Sequence, residues 1–318
     1  MASMDVDNLT KYYGDERGIE GLTFTVEPGE VFGLLGPDGA GKTTTIRTLM
    51  GLQAPSQGRA SVLNYDIRHR RERIAMKQDV GYLPSEPSFD GSRTGKQLLA
   101  YHASLKDDER SERLLELFAL DSHLNRPIRT YTPEQKRLLA TVVAFMHDPA
   151  LVILDEPTVG LDPSTQEQLR TFLDIERQRD TTLVVGSCSL TTACLLCDRV
   201  GILRNGHLID FRTNQQLPDR APWNIRFVTT DPVDANAFPS EHSYNVEIDR
   251  TDGQLSDEHD GRPPRTAVSF VYTGTYETLL EALSTYTIRD LIIEKAALRE
   301  FLTQWYGTRL GNGGGVDV

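Results

Sequence analysis

Eight residues, Gly36-Pro37-Asp38-Gly39-Ala40-Gly41-Lys42-Thr43, dictate much of the fold before anything else is read, because they spell GxxxxGK[ST]. An apolar run, Glu30–Leu35, leads into them, and Thr44–Leu49 follows with helical spacing. A strand that turns through glycines into a helix is built to hold phosphate. The glycines let backbone N–H groups turn inward as a nest. The helix N-terminus adds positive partial charge. Lys42 then offers a point charge to β- and γ-phosphates, and Thr43 a hydroxyl to Mg²⁺. Expected nucleotide contacts are therefore Gly36, Pro37, Asp38, Gly39, Ala40, Gly41, Lys42, Thr43 and Thr44.

A second run, Leu151-Val152-Ile153-Leu154-Asp155-Glu156-Pro157, is apolar and ends in carboxylates. Asp155, at the carboxyl end of a buried strand, is expected in the metal shell. Glu156, one residue on, is expected to polarise the water that attacks the γ-phosphate. Thr182–Val185 reads as a third apolar strand. Continuous apolar strands alternating with helices predict a parallel sheet covered on both faces. Between the first two strands, Gly95–Leu105 and Ser111–Phe118 carry helical spacing, so residues 90–148 read as a helical insertion.

These runs, with their surroundings, resemble the ATP-binding cassette ATPases over Asn8–Asp210. Leu9-Thr10-Lys11-Tyr12-Tyr13-Gly14 is similar to the family's opening strand, which implies adenine stacking on Tyr13. A strand-packing aromatic is the plainer reading of Tyr13. Val159-Gly160-Leu161-Asp162-Pro163 resembles the D-loop, and residues 197–206 resemble the closing strand pair. The nearest resemblance is to ATPases that serve separate ABC-2 type permeases of the drug- and lipid-export kind, many of which end in a helix like Ala297–Tyr306. The resemblance implies an α/β P-loop NTPase cassette with a helical subdomain. It also implies ATP and Mg²⁺ as ligands, and a head-to-tail dimer with two ATPs buried between P-loops and partner signature loops.

Three positions depart from the family pattern. The signature loop falls on Tyr131-Thr132-Pro133-Glu134-Gln135. There Thr132 keeps a hydroxyl for the partner's γ-phosphate, Pro133 has no N–H to give, and Glu134 brings like charge toward a phosphate unless it turns away. The switch histidine is replaced by Cys188, which cannot hold a γ-phosphate and a water as imidazole does. The Q-loop glutamine is replaced by Ser85, which reaches the metal only through a water; Glu86 is an alternative ligand. Asp38, in place of the usual Asn, is a milder change.

After residue 210 the character changes. Residues 211–222 read as a linker. Asn224–Thr229, Tyr244–Ile248 and Ala267–Tyr272 read as strands, Tyr276–Leu283 and Ala297–Tyr306 as helices, and Asp290–Ile293 as a further strand. The expected organisation is a cassette over 1–210, a small α+β domain over 223–307 with a mobile loop at 252–264, and a disordered tail over 308–318. Trp223 and Trp305 are expected as packing aromatics.

Composition narrows the role. No apolar run reaches the ~20 residues of a membrane span, and Met1–Thr10 does not read as a signal peptide. The expected location is cytoplasmic, on the inner face of the membrane through a permease. A net charge of −12 argues against a nucleic-acid surface, and the basic run Arg68–Arg73 reads as a solvated helix face. One P-loop and no heptad run also argue against a third reading, a non-transport cassette protein acting on ribosomes or DNA. Only 7 Lys stand against 27 Arg, and that acidic, Lys-poor surface fits a high-salt cytoplasm. Cys194 and Cys197 form a lone CxxC, short of the four ligands of a zinc site. Two functions remain. One is a transport ATPase; the other is an ATP-dependent clamp with little turnover that pairs with a more regular ATPase.

Overall fold

The structure, a computed structural model, describes residues 2–217, 223–234, 238, 242–251 and 265–295. Its contacts divide into two units, Met1–Asn214 and Gln215–Val318.

The first unit opens with β1 (Met4–Tyr13), β2 (Glu16–Val26), β3 (Val31–Leu35), α1 (Lys42–Leu49), β4 (Gln57–Val62) and β5 (Tyr65–Asp66). Next come α2 (Arg70–Asp79), β6 (Val80–Leu83), α3 (Gly95–Ala103), α4 (Ser111–Leu117), α5 (Pro133–Phe145) and β7 (Leu151–Asp155). It closes with α6 (Pro163–Gln178), β8 (Thr182–Ser187), α7 (Leu190–Leu196), β9 (Arg199–Arg204) and β10 (His207–Thr213).

Six strands form the main sheet in the order β10-β9-β3-β8-β7-β6. All neighbours in it are parallel except β10, which pairs antiparallel with β9. Strands β3, β7 and β8 are buried at every position, as their unbroken apolar runs require of a sheet covered on both faces. A second sheet, antiparallel in the order β2-β1-β4-β5, alternates buried and exposed positions. Its inner residues Val6, Leu9, Leu22 and Phe24 share one core with Phe32, Ile46 and Ile153, so the two sheets clamp α1 between them. Helices α3, α4 and α5 fall in the predicted insertion.

Two boundaries differ from expectation. Helix α1 starts at Lys42 rather than Thr44, because Gly41 takes φ 106° as its N-cap and lets the chain turn into the helix at once. Residues 211–213, expected in the linker, belong to β10, where Phe211 packs near Phe32 at 6.5 Å between ring centres. The basic run lies at the start of α2, with Arg70 and Arg71 exposed. Cys194 lies on α7, and the buried Cys197 caps its end.

The second unit contains β11 (Trp223–Thr229), β12 (Ser243–Thr251), β13 (Arg265–Tyr272), α8 (Tyr276–Ser284) and β14 (Ile288–Lys295). Its sheet is antiparallel, ordered β12-β13-β11-β14. Phe227, Val268, Phe270 and Tyr272 form its core with Leu279 and Leu283 of α8. Trp223 packs on Tyr276 at 5.6 Å. The loop 252–264, the helix at 297–306 with Trp305, and the tail at 308–318 lie outside the described residues.

Candidate nucleotide site

The order β3-β8-β7-β6 lines up four strand ends on one edge of the main sheet. Gly36 follows β3, Cys188 follows β8, Glu156 follows β7, and Ser85 lies just beyond β6. Ligands of open parallel sheets bind outside the carboxyl ends of the strands. Residues far apart in sequence meet here because each ends a neighbouring strand.

The phosphate loop is shaped by two glycines. A Cβ on Gly36 would lie 2.6 Å from the Leu203 carbonyl oxygen, and one on Gly41 2.8 Å from Ile19 Cγ2. Beside the loop is a cavity of about 400 Å³, lined by Tyr13, Arg17, Asp38, Lys42, Ser85 and Glu156 among others. Lys42 is buried and its ammonium donates to the carbonyls of Gly36 (2.7 Å) and Pro37 (3.2 Å). It also ion-pairs with Glu156 Oε1 at 3.3 Å, outside hydrogen-bond geometry.

Thr43 Oγ1 donates to Asp155 Oδ1 at 3.4 Å. Asp155 is fully buried, and its Oδ2 has no hydrogen-bond partner. Burial pushes the Asp155 carboxyl up, against the downward pull of the Thr43 hydroxyl. The neighbouring Glu156 pushes it up further, and Lys42 and the Ser85 hydroxyl pull it down. A buried carboxylate with a spare oxygen, flanked by two hydroxyls and a phosphate loop, fits a hard divalent cation. Among the described residues no three His, Cys, Asp or Glu side chains cluster as a metal cage. Mg²⁺ at Thr43, Asp155 and Ser85 would therefore share its shell with phosphate oxygens and water, as that ion prefers.

Glu156 sits at φ 50°, in the left-handed region that side chains other than glycine rarely adopt. Its N–H donates to the Gly186 carbonyl at 2.8 Å, and its own carbonyl accepts from Arg137 Nη1 at 2.8 Å. The other arm of Arg137 donates to the Ser85 carbonyl. No motif in the sequence singles out Arg137, within Gln135-Lys136-Arg137, and it is only 6% exposed. Cys188 is half-buried, and burial raises its thiol, helped by the Glu156 carboxylate beside it. Position 188 therefore presents a neutral S–H. Glu86 is exposed and does not line the cavity.

The ABC transporter family profile matches residues 19–159. The Nod factor export ATP-binding protein I of Rhizobium meliloti (strain 1021) is 33% identical over 258 residues, covering 77% of this chain and 75% of that protein. The chain belongs to the ABC transporter ATP-binding proteins. The linearmycin resistance ATP-binding protein LnrL of Bacillus subtilis (strain 168) is 31% identical over 223 residues, covering 68% of this chain and 71% of that one. Among solved structures, a dimeric ATP-binding cassette in a post-hydrolysis state with ADP and Pi matches with a TM-score of 0.60. At 18% identity over 66% of this chain and 98% of that one, it shows the shared fold. The cassette binds ATP, and ATP hydrolysis is its expected activity.

The segment expected as the signature loop heads α5. Thr132 caps the helix: its hydroxyl oxygen accepts from the Gln135 N–H at 3.1 Å, while Gln135 Oε1 accepts from the Thr132 N–H at 3.0 Å. That reciprocal box, with Pro133 in the first turn, starts a helix where the family has glycines. The cap uses the hydroxyl oxygen and leaves its proton free to donate. Glu134 turns to its own D-loop, where Oε1 accepts from the Asp162 N–H at 3.3 Å. The exposed Asp162 carboxylate caps α6, accepting from the N–H groups of Ser164 (2.8 Å) and Thr165 (3.0 Å). These bonds hold its carboxyl well below the usual carboxylate range, the Thr165 N–H contributing most. Tyr13 is exposed at the cavity rim, its hydroxyl donating to Gln53 Oε1 at 2.6 Å.

Proposed function

We propose that this subunit binds Mg-ATP at its phosphate loop, hydrolyses it slowly through Glu156, and so powers a separate ABC-2 type permease. The observation that carries this is the juxtaposition at the strand ends: Glu156 lies 3.3 Å from Lys42 and one residue from the buried Asp155. In this reading the γ-phosphate displaces Glu156 from Lys42, and the freed carboxylate takes a proton from the attacking water. Water oxygen bonds to the γ-phosphorus, the bond to the β-phosphate oxygen breaks, and ADP and phosphate leave. Bound Mg²⁺ would neutralise charge on the β- and γ-phosphates. Lys42 and the loop N–H groups orient the phosphates, and Tyr13 stacks on the adenine.

Slow turnover follows from what the site lacks. Cys188 offers a weak donor where an imidazole would hold phosphate and water. Pro133 offers no N–H to the partner's γ-phosphate, leaving the Thr132 hydroxyl. A clamp with little turnover is the second reading, favoured by the neutral thiol of Cys188 beside Glu156.

A head-to-tail pair with a second copy or a second ABC ATPase fits this reading, a dimeric cassette of the same fold being known. A separate groove of about 500 Å³ is lined by Tyr82, Pro84, Phe89, Leu98 and Tyr101 among others. Its apolar wall is continuous in sequence with the nucleotide cavity through Tyr82–Ser85, so it suits a permease segment that must sense the γ-phosphate. Among the described residues no helix is long and apolar enough to cross a membrane; the permease would hold the subunit at the cytoplasmic face. Export is the direction borne by the name of the Rhizobium relative. The test is Mg-ATP hydrolysis by the native protein and by Glu156→Gln. Turnover in the first alone supports the ATPase; binding without turnover in both supports the clamp.

A further inference from the structure

Resting on the ATPase reading above, we infer that Arg137 is a positioning residue: it ties the signature-loop helix to Glu156 and to Ser85, so the three move as one. A buried guanidinium is ordinarily held by carboxylates, as Arg110 is by Glu176 and Asp148. Arg137 instead spends its two arms on main-chain carbonyls, and both belong to residues lining the nucleotide cavity.

The geometry gives this consequences. The guanidinium is a rigid planar fork, so donating to both carbonyls at once fixes their separation. Glu156 is held in its left-handed conformation from both sides, by Gly186 at its N–H and Arg137 at its carbonyl. Removing one side lets the peptide relax and moves the carboxylate that follows it. Arg137 sits on α5 little more than a turn beyond Thr132, the residue facing the partner's phosphate in the proposed pair. The Arg137 carbonyl accepts from Thr141 Oγ1 at 3.1 Å, a further bond within the helix. A shift of α5 therefore pulls on Glu156 and Ser85 together. Burial lowers the Arg137 pKa, with the Glu156 and Asp155 carboxylates acting the other way.

The experiment compares native protein, Arg137→Met, Arg137→Lys and Glu156→Gln in two assays: steady-state Mg-ATP hydrolysis, and amide hydrogen exchange with and without Mg-ATP. Arg137→Met should lower kcat about ten- to a hundredfold, the scale of a misplaced catalytic group, with KM for ATP unchanged. Arg137→Lys should recover part of kcat, since one ammonium reaches one carbonyl. In native protein ATP should slow exchange at residues 84–88 and 132–136 together. In Arg137→Met the response at 132–136 should vanish while that at 36–44 persists. Native kcat in Arg137→Met overturns the inference, as does an undiminished response at 132–136. If native protein and Glu156→Gln both fail to turn over, the ATPase reading fails and the exchange result alone decides the role of Arg137. If Arg137→Met does not fold, Arg137→Lys decides it: a native kcat and an intact response at 132–136 would overturn the inference.

Discussion

Replacing Glu156 with Gln should do two opposite things, and the second is the sharper test. Hydrolysis should fall by about 10² to 10⁴, the usual contribution of a general base. ATP binding should tighten. Lys42 ion-pairs with Glu156 at 3.3 Å, with the two side chains 6% and 14% exposed. At an effective dielectric constant near 20, that separation corresponds to a gross attraction of about 5 kcal/mol. The desolvation both groups have suffered removes most of it, and the net of such a charged contact is about 1–3 kcal/mol. A phosphate must draw Lys42 away from this carboxylate, and Gln holds it less firmly. The expected gain is therefore about 5- to 150-fold in Kd. Calorimetric titration with a non-hydrolysable ATP analogue, in Mg²⁺ and matched salt, reads it directly, with Lys42→Ala as the control that loses binding. Equal affinities for native protein and Glu156→Gln would refute the competition between phosphate and Glu156 for Lys42.

Cys188→His should raise turnover severalfold by restoring a ring that can hold phosphate and water; unchanged kcat in a steady-state assay would show that position 188 does not limit the rate. Burial, with Lys106 at 3.0 Å, holds His147 down at about 4 from an ordinary 6.5. Between those values the unfolded chain binds a proton that the folded chain does not, so stability should fall as pH drops through that window. Urea midpoints across the window should show a shallower fall for His147→Gln than for native protein. Stability should also rise as KCl is added, because the chain carries a net charge of −12; a flat thermal-melt response to salt would contradict that.

The parts of this protein legible in its sequence are those whose chemistry is local. Lys42, Thr43, Asp155 and Glu156 announce themselves because a phosphate loop and an acidic strand end are short, contiguous patterns. The sheet order that brings them together is not written locally, but buried parallel strands and short crossovers leave few alternatives. The antiparallel β1, β2 and β4 were mostly hidden. Their runs are half polar, and β1 shifts register against β2 after Val6, Leu9 and Lys11, which blurs any period of two. Arg137 was hidden for a different reason: only tertiary structure tells a buried arginine from a surface one. The turn of Glu134 toward Asp162 was equally out of reach, because it depends on two loops meeting that lie 28 residues apart.

That last bond changes how a pair of cassettes would come together. In each subunit the signature loop and the D-loop are the two segments expected to cross to a partner, and Glu134 fastens one to the other. In such a pair the bond from the Asp162 N–H to Glu134 would make the two segments meet a partner together rather than one after the other.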